Sequence, residues 1–161
     1  MKKLKLVSNI LTILTGYSLL ILSFGIVLEI FLRAVFNFSL QGVDEYGGYV
    51  VAILVAFGIS QNLLLRGHIR IDFFFDKLSF TVQAYLNLLT YFLFFIFSCF
   101  FLFRSLGTLR DSIDYKSLSG TPLETPLWIP QFIWVLGLLF FVITSTIVFF
   151  HAVKAFLKNK P

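Results

Sequence analysis

Residues 29–76 read EIFLRAVFNFSLQGVDEYGGYVVAILVAFGISQNLLLRGHIRIDFFFD, and the charges in this stretch decide the fold. Residues 46–65 carry no charge, whereas Asp44 and Glu45 precede them and Arg66 and Arg70 follow. Twenty helical residues rise about 30 Å, the thickness of a bilayer's hydrocarbon core. A run of that length bracketed by acids on one side and bases on the other reads as one oriented membrane span.

The rest of the chain repeats the pattern. Uncharged runs cover residues 6–28, 78–103 and 126–153, so four spans are expected at about 6–32, 46–65, 78–103 and 126–153. Charged residues make up 13% of the chain, half the share of a soluble domain at about 25%, and 22 residues are Phe. The expected fold is all-α and integral to the membrane, a single domain of residues 1–161. The connections are 33–45, 66–77 and 104–125, and the longest is too short to build a core of its own. Residues 2–5 resemble the basic start of a signal peptide, but the apolar run is too long and no A-x-A-like site closes it, so an uncleaved first helix is expected.

Lys and Arg orient the spans. Nine of the thirteen lie on one side: Lys2, Lys3, Lys5, Arg66, Arg70, Lys77, Lys154, Lys158 and Lys160. The other side holds Arg33, Arg104, Arg110 and Lys116 together with six of the eight acids. Both termini are therefore expected in the cytoplasm. The net charge of +5 then reflects topology and anionic lipid headgroups, and nucleic acid is not an expected partner.

Gly48, Ala52, Ala56 and Ser60 place a small residue at every fourth position of the second span, which lets a neighbouring backbone come close. That neighbour is either another helix of the same bundle or a second membrane protein. The third span is Phe-rich on all sides and cannot line a polar path. Trp128 and Trp134 suit an interfacial belt, and Thr125 is a candidate cap for the fourth span, with Pro126 and Pro130 in its first turn. Between spans two and three, Gly67 permits a sharp exit and Asp72 can cap a short amphipathic segment. Its Phe residues would lie in the interface while Arg66, Arg70 and Lys77, with His68 beside them, meet headgroups. Anchoring to the surface or fixing the edge of a partner are both open to it.

Much is excluded. No span has a central charge or an internal proline, the features from which transporters build ion and substrate sites. Glu29 and Arg33 stand at i,i+4 near the outer interface, as a helix-surface ion pair. His68 and His151 lie at membrane edges, against haem ligation at mid-depth. Cys99 is the single cysteine, so no intrachain disulfide or cysteine metal site forms. Asp44, Glu45, Asp72 and Asp76 lack calcium-loop spacing. No catalytic pattern appears, and no cofactor or metal site is expected. A self-sufficient four-span exporter of the small multidrug type is the alternative, but it needs an acid at mid-membrane in span one.

On these residues the chain resembles the small membrane subunit of tripartite ATP-independent periplasmic (TRAP) transporters. The family pattern places Arg, an aromatic and Asn after span one, an acidic pair entering span two, and a Gly late in it. A basic Gly-His-hydrophobic-Arg-hydrophobic-Asp segment follows. Here these are Arg33, Phe36-Asn37, Asp44-Glu45, Gly58 and Gly67-His68-Ile69-Arg70-Ile71-Asp72. Gln41-Gly42-Val43 departs from it, where a Trp is often seen. The resemblance implies a multi-pass protein of the bacterial inner membrane that supports a large membrane subunit. That subunit holds the sodium and substrate sites, and a periplasmic binding protein delivers an organic acid such as sialic acid or a C4-dicarboxylate. Gly48, Ala52, Ala56, Ser60, Glu29, Arg33, Asp44 and Glu45 are then expected at the large-subunit interface. Arg66, His68, Arg70, Asp72 and Lys77 are expected at the lipid and cytoplasmic edge. Arg110, Asp111, Asp114 and Lys116 are candidates to touch the binding protein.

Overall fold

The computed structural model describes residues 2–40, 42–65 and 78–158. The connection 66–77, with Arg66, His68, Arg70, Asp72, Lys77 and the expected amphipathic segment, lies outside the described residues. Four helices account for nearly all of the rest: α1 (Lys2–Phe36), α2 (Val43–Leu65), α3 (Phe80–Asp114) and α4 (Trp128–Lys158). Each is long and apolar enough to cross a membrane.

Among the described residues the main helix pairs form a row. α1 packs on α2, α2 on α4, and α4 on α3, giving a row in the order 1-2-4-3 with α1 and α3 at its ends. The reason lies in where the small residues fall. Between α2 and α4, Ala56 meets Gly137 so closely that a Cβ on the glycine would lie 2.6 Å from the Ala56 methyl. Between α4 and α3, buried Ser98 and Ser145 join hydroxyls at 2.8 Å, and Trp134 donates its indole N–H to Ser105 at 3.2 Å. Around these close approaches Phe95 stacks on Phe149 and Tyr85 meets Phe156 edge-on. Leu63, Tyr91 and Phe141 form the enclosed core where α2, α3 and α4 meet. In lipid such contacts hold helices by dispersion and interhelical hydrogen bonds, because the tails are as apolar as the side chains.

Among the described residues α1 packs mainly on α2. It runs antiparallel to α2, with Leu22 beside Gly47 at one end and Gln61 Nε2 donating to Asn9 Oδ1 at 3.3 Å near the other. Its remaining faces carry large apolar side chains turned outward, Ile21 and Phe24 among them at 73% and 71% exposure.

α3 runs eleven residues past the expected end of its span, so Arg104, Arg110, Asp111 and Asp114 stand on a helix and the connection shortens to 115–127. The extension is held because its apolar positions continue at helical spacing, with Leu109 and Ser112 buried. It stops in a Schellman motif: Lys116 N–H donates to the Ile113 carbonyl at 3.2 Å and Ser117 N–H to that of Ser112 at 3.0 Å. Lys116 takes the left-handed conformation, φ +48°, where glycine is usual. Thr125 does not cap α4. Its N–H donates to Ser119 Oγ at 3.0 Å, and the helix begins three residues later, with Pro130 in the first turn.

Candidate functional site

Polar side chains gather at the end of the molecule where the α1–α2 and α3–α4 connections meet. Residues 115–127 form a compact loop closed on itself. Leu118 and Pro126 pair as an antiparallel bridge, and Ser119 N–H donates to the Thr125 carbonyl at 2.9 Å. Leu127 N–H returns to the Ser117 carbonyl at 3.0 Å. Ser119 and Thr121 share a hydroxyl hydrogen bond of 2.9 Å near the tip. These bonds hold the loop in shape where no helix or sheet supplies partners.

Glu45 latches this loop to α2. The Thr121 hydroxyl donates to Glu45 Oε2, and Tyr49, one turn along α2, donates to Oε1 at 2.7 Å. The Glu45 residue is only 9% exposed. Charge-assisted hydrogen bonds of this kind are about twice as strong as neutral ones, so one carboxylate ties an N-terminal turn to a loop 76 residues away. Its place in the first turn of α2 also suits the positive end of the helix dipole.

A second tie is steric. Gly42 enters α2 at φ +93°, and Leu123 sits where a Cβ on that residue would project. Only glycine meets both demands. Beside it, Glu29 accepts a hydrogen bond from Ser39 Oγ at 2.8 Å and pairs with Arg33 at 3.2 Å. The carboxylate is nearly covered while the guanidinium is exposed, so Glu29 orders the start of the α1–α2 connection and Arg33 presents its charge outward.

The other candidates divide. Asp44 and Gly48 are exposed on α2, and Ala52 is half-buried. Ala56 and Ser60 are covered within the chain, Ala56 by Gly137, and so are not open to another protein in this arrangement. Arg110 and Asp114 pair with each other at 3.5 Å in full solvent, a contact of little energy, and Asp111 and Lys116 are exposed. Sequence reasoning missed Ser39, Tyr49, Ser119 and Thr121 as partners of the two glutamates, as well as Asn9 and Gln61. The turn-forming run Ser119-Gly120-Thr121-Pro122 was a local signal, but no spacing along the chain pairs residue 121 with residue 45.

Among the described residues no three His, Cys, Asp or Glu side chains converge as metal ligands would. Among the described residues the charged groups lie toward helix ends, and the site is a braced rim at one end of the molecule. A family model described as "Tripartite ATP-independent periplasmic transporters, DctQ component" matches residues 22–155. A search of curated proteins found no match.

Proposed function

Because the chain belongs to the DctQ-component family of tripartite ATP-independent periplasmic transporters, we propose that it is the accessory subunit that braces the large membrane subunit in sodium-coupled uptake of an organic acid. The family is one of transporter components and not of enzymes, and a tripartite system supplies a large membrane subunit and a binding protein as partners. Four apolar helices make the chain a multi-pass membrane protein. The bacterial inner membrane, with both termini cytoplasmic, is the location in which its basic residues fall on the retained side.

One observation carries the bracing role: α1 packs mainly on α2, and only 6% of its apolar stretch is buried among the described residues. Gly16 and Gly25 on α1, and Gly48 and Gly58 on α2, have no atom within 4 Å of where a Cβ would stand. Such gaps let a second protein's backbone come close in lipid. No Asp, Glu, Lys, Arg or His side chain of the described spans lies near mid-depth, which leaves the sodium and acid sites to the large subunit. Ala56 and Ser60 hold the row together from within. Gly48 and the exposed half of the small-residue ladder face the partner. Glu29 and Glu45 keep the rim in shape, leaving Arg33, Asp44 and the end of α3 with Arg110, Asp111, Asp114 and its cap Lys116 to meet the large subunit or the binding protein.

Reconstitution tests this directly. Proteoliposomes holding the large subunit, this chain and the binding protein should take up the acid down a sodium gradient, and omission of this chain should abolish uptake. Sodium-driven uptake by this chain alone would overturn the proposal, as would full activity of the large subunit without it.

A further inference from the structure

Where α3 stops and α4 starts, five residues line an open pocket. Ile113 comes from the last turn of α3 and Lys116 from its cap. Leu118 and Pro126 face each other across the loop's bridge, and Trp128 opens α4. The pocket holds about 430 Å³, within the range of small-molecule sites, which run from about 300 to 1,000 Å³. Its walls are mainly apolar, and Lys116 is the one charged residue among the five. Lys116 enters no ion pair among the described residues; the two recorded there are Arg33–Glu29 and Arg110–Asp114.

The position of the pocket narrows what it takes. Trp128 begins the uncharged length of α4 and suits the interfacial belt, whereas Lys116 stands beyond the apolar length of α3, so the pocket falls at the level expected of lipid headgroups. A ligand at this level needs an anionic head for Lys116 and a hydrocarbon body for the walls. The lysine occupies a left-handed cap position, φ +48°, that glycine would fill with less strain. The Schellman bonds on either side hold its backbone there, at the mouth of the pocket.

We propose that this pocket binds a glycerophospholipid from the leaflet at the Glu45 end of the molecule, with its phosphate on the Lys116 ammonium and an acyl chain along Ile113, Leu118 and Trp128. A compact ammonium is a good point charge for phosphate, and aromatic and aliphatic walls accept a chain without orienting it. The bound lipid would fill the notch between the loop and α4. The proposal rests on the membrane-spanning fold and not on transport, so its failure leaves the accessory-subunit reading standing.

Trp128 supplies the probe. The chain has two tryptophans, so Trp134→Phe makes Trp128 the sole emitter in the full-length protein. Detergent micelles are doped with phosphatidylglycerol brominated in its acyl chains, and quenching is followed against lipid mole fraction. Quenching should saturate at low lipid, Lys116→Glu should raise the half-point about tenfold, and Lys116→Arg should leave it within about twofold. Native mass spectrometry of the chain with both tryptophans in place should show one retained phosphatidylglycerol that Lys116→Glu releases. The proposal fails if Lys116→Glu quenches and retains lipid as the parent does, or if brominated diacylglycerol, which lacks the phosphate, quenches at the same half-point. It fails equally if lipid leaves Trp128 unquenched while the binding protein alters its emission, which would make the pocket a protein contact.

Discussion

Replacing Gly137 by alanine tests the packing that holds the row of helices together. The added Cβ would lie 2.6 Å from Ala56 Cβ, 3.3 Å from the Ala56 carbonyl carbon and 3.5 Å from its Cα. Carbon atoms pack best at about 3.5–4.0 Å, so α2 and α4 must part by roughly 1 Å at this level. Two of the three contacts are backbone, which cannot rotate away. A gap of 0.5–1 Å forfeits about a quarter to a half of the attraction between the atoms it separates, and overpacking of tight sites costs about 1–3 kcal/mol. We expect a loss of about 2 kcal/mol, or roughly thirtyfold in the folded-to-unfolded ratio. The assay is equilibrium unfolding in mixed micelles followed by circular dichroism. The decisive measurement is the swap: Ala56→Gly combined with Gly137→Ala moves the methyl across the interface and should recover at least half the loss. A stable Gly137→Ala protein would refute the close approach. A double variant whose costs merely add would show that the strain is not between these two residues.

Three further outcomes follow from the rim and the seams. Glu45→Ala should leave the Thr121 and Tyr49 hydroxyls without their acceptor, and amide exchange across residues 115–127 should quicken severalfold while that of α1 stays unchanged. Gly42→Ala should lower the thermal midpoint through both its positive φ and Leu123; adding Leu123→Ala should relieve only the steric part, leaving about 1–2 kcal/mol of backbone strain in the unfolding free energy. Ser98→Ala should cost only about 0.6 kcal/mol in the same micelle assay, the usual worth of one interhelical hydrogen bond in lipid. The loss is small because Ser145 keeps its own bond to the Val142 carbonyl at 2.9 Å.

The rim shows why some contacts were readable and others were not. Glu29 and Arg33 are four residues apart, and helical geometry alone makes them neighbours. Nothing comparable relates Glu45 to Thr121, or Gly42 to Leu123, because those distances depend on how four helices stack and where a loop folds back. The expected outer loop was misjudged in length for a related reason. Charge marks where a helix leaves the hydrocarbon, but a helix continues beyond that depth wherever its apolar positions still find cover, as Leu109 does.

The amino-acid sequence by itself determined the membrane, the four spans and the family motif in residues 29–76, because the insolubility of charge in hydrocarbon acts on each stretch of chain independently. Only the tertiary structure decided that the helices stand in a row, that Ala56 and Ser60 serve the chain's own packing, and that the acids of the rim act as internal latches. Those outcomes turn on which small residues face one another across helices, and dispersion between surfaces falls off within an ångström, so no one-dimensional pattern specifies it.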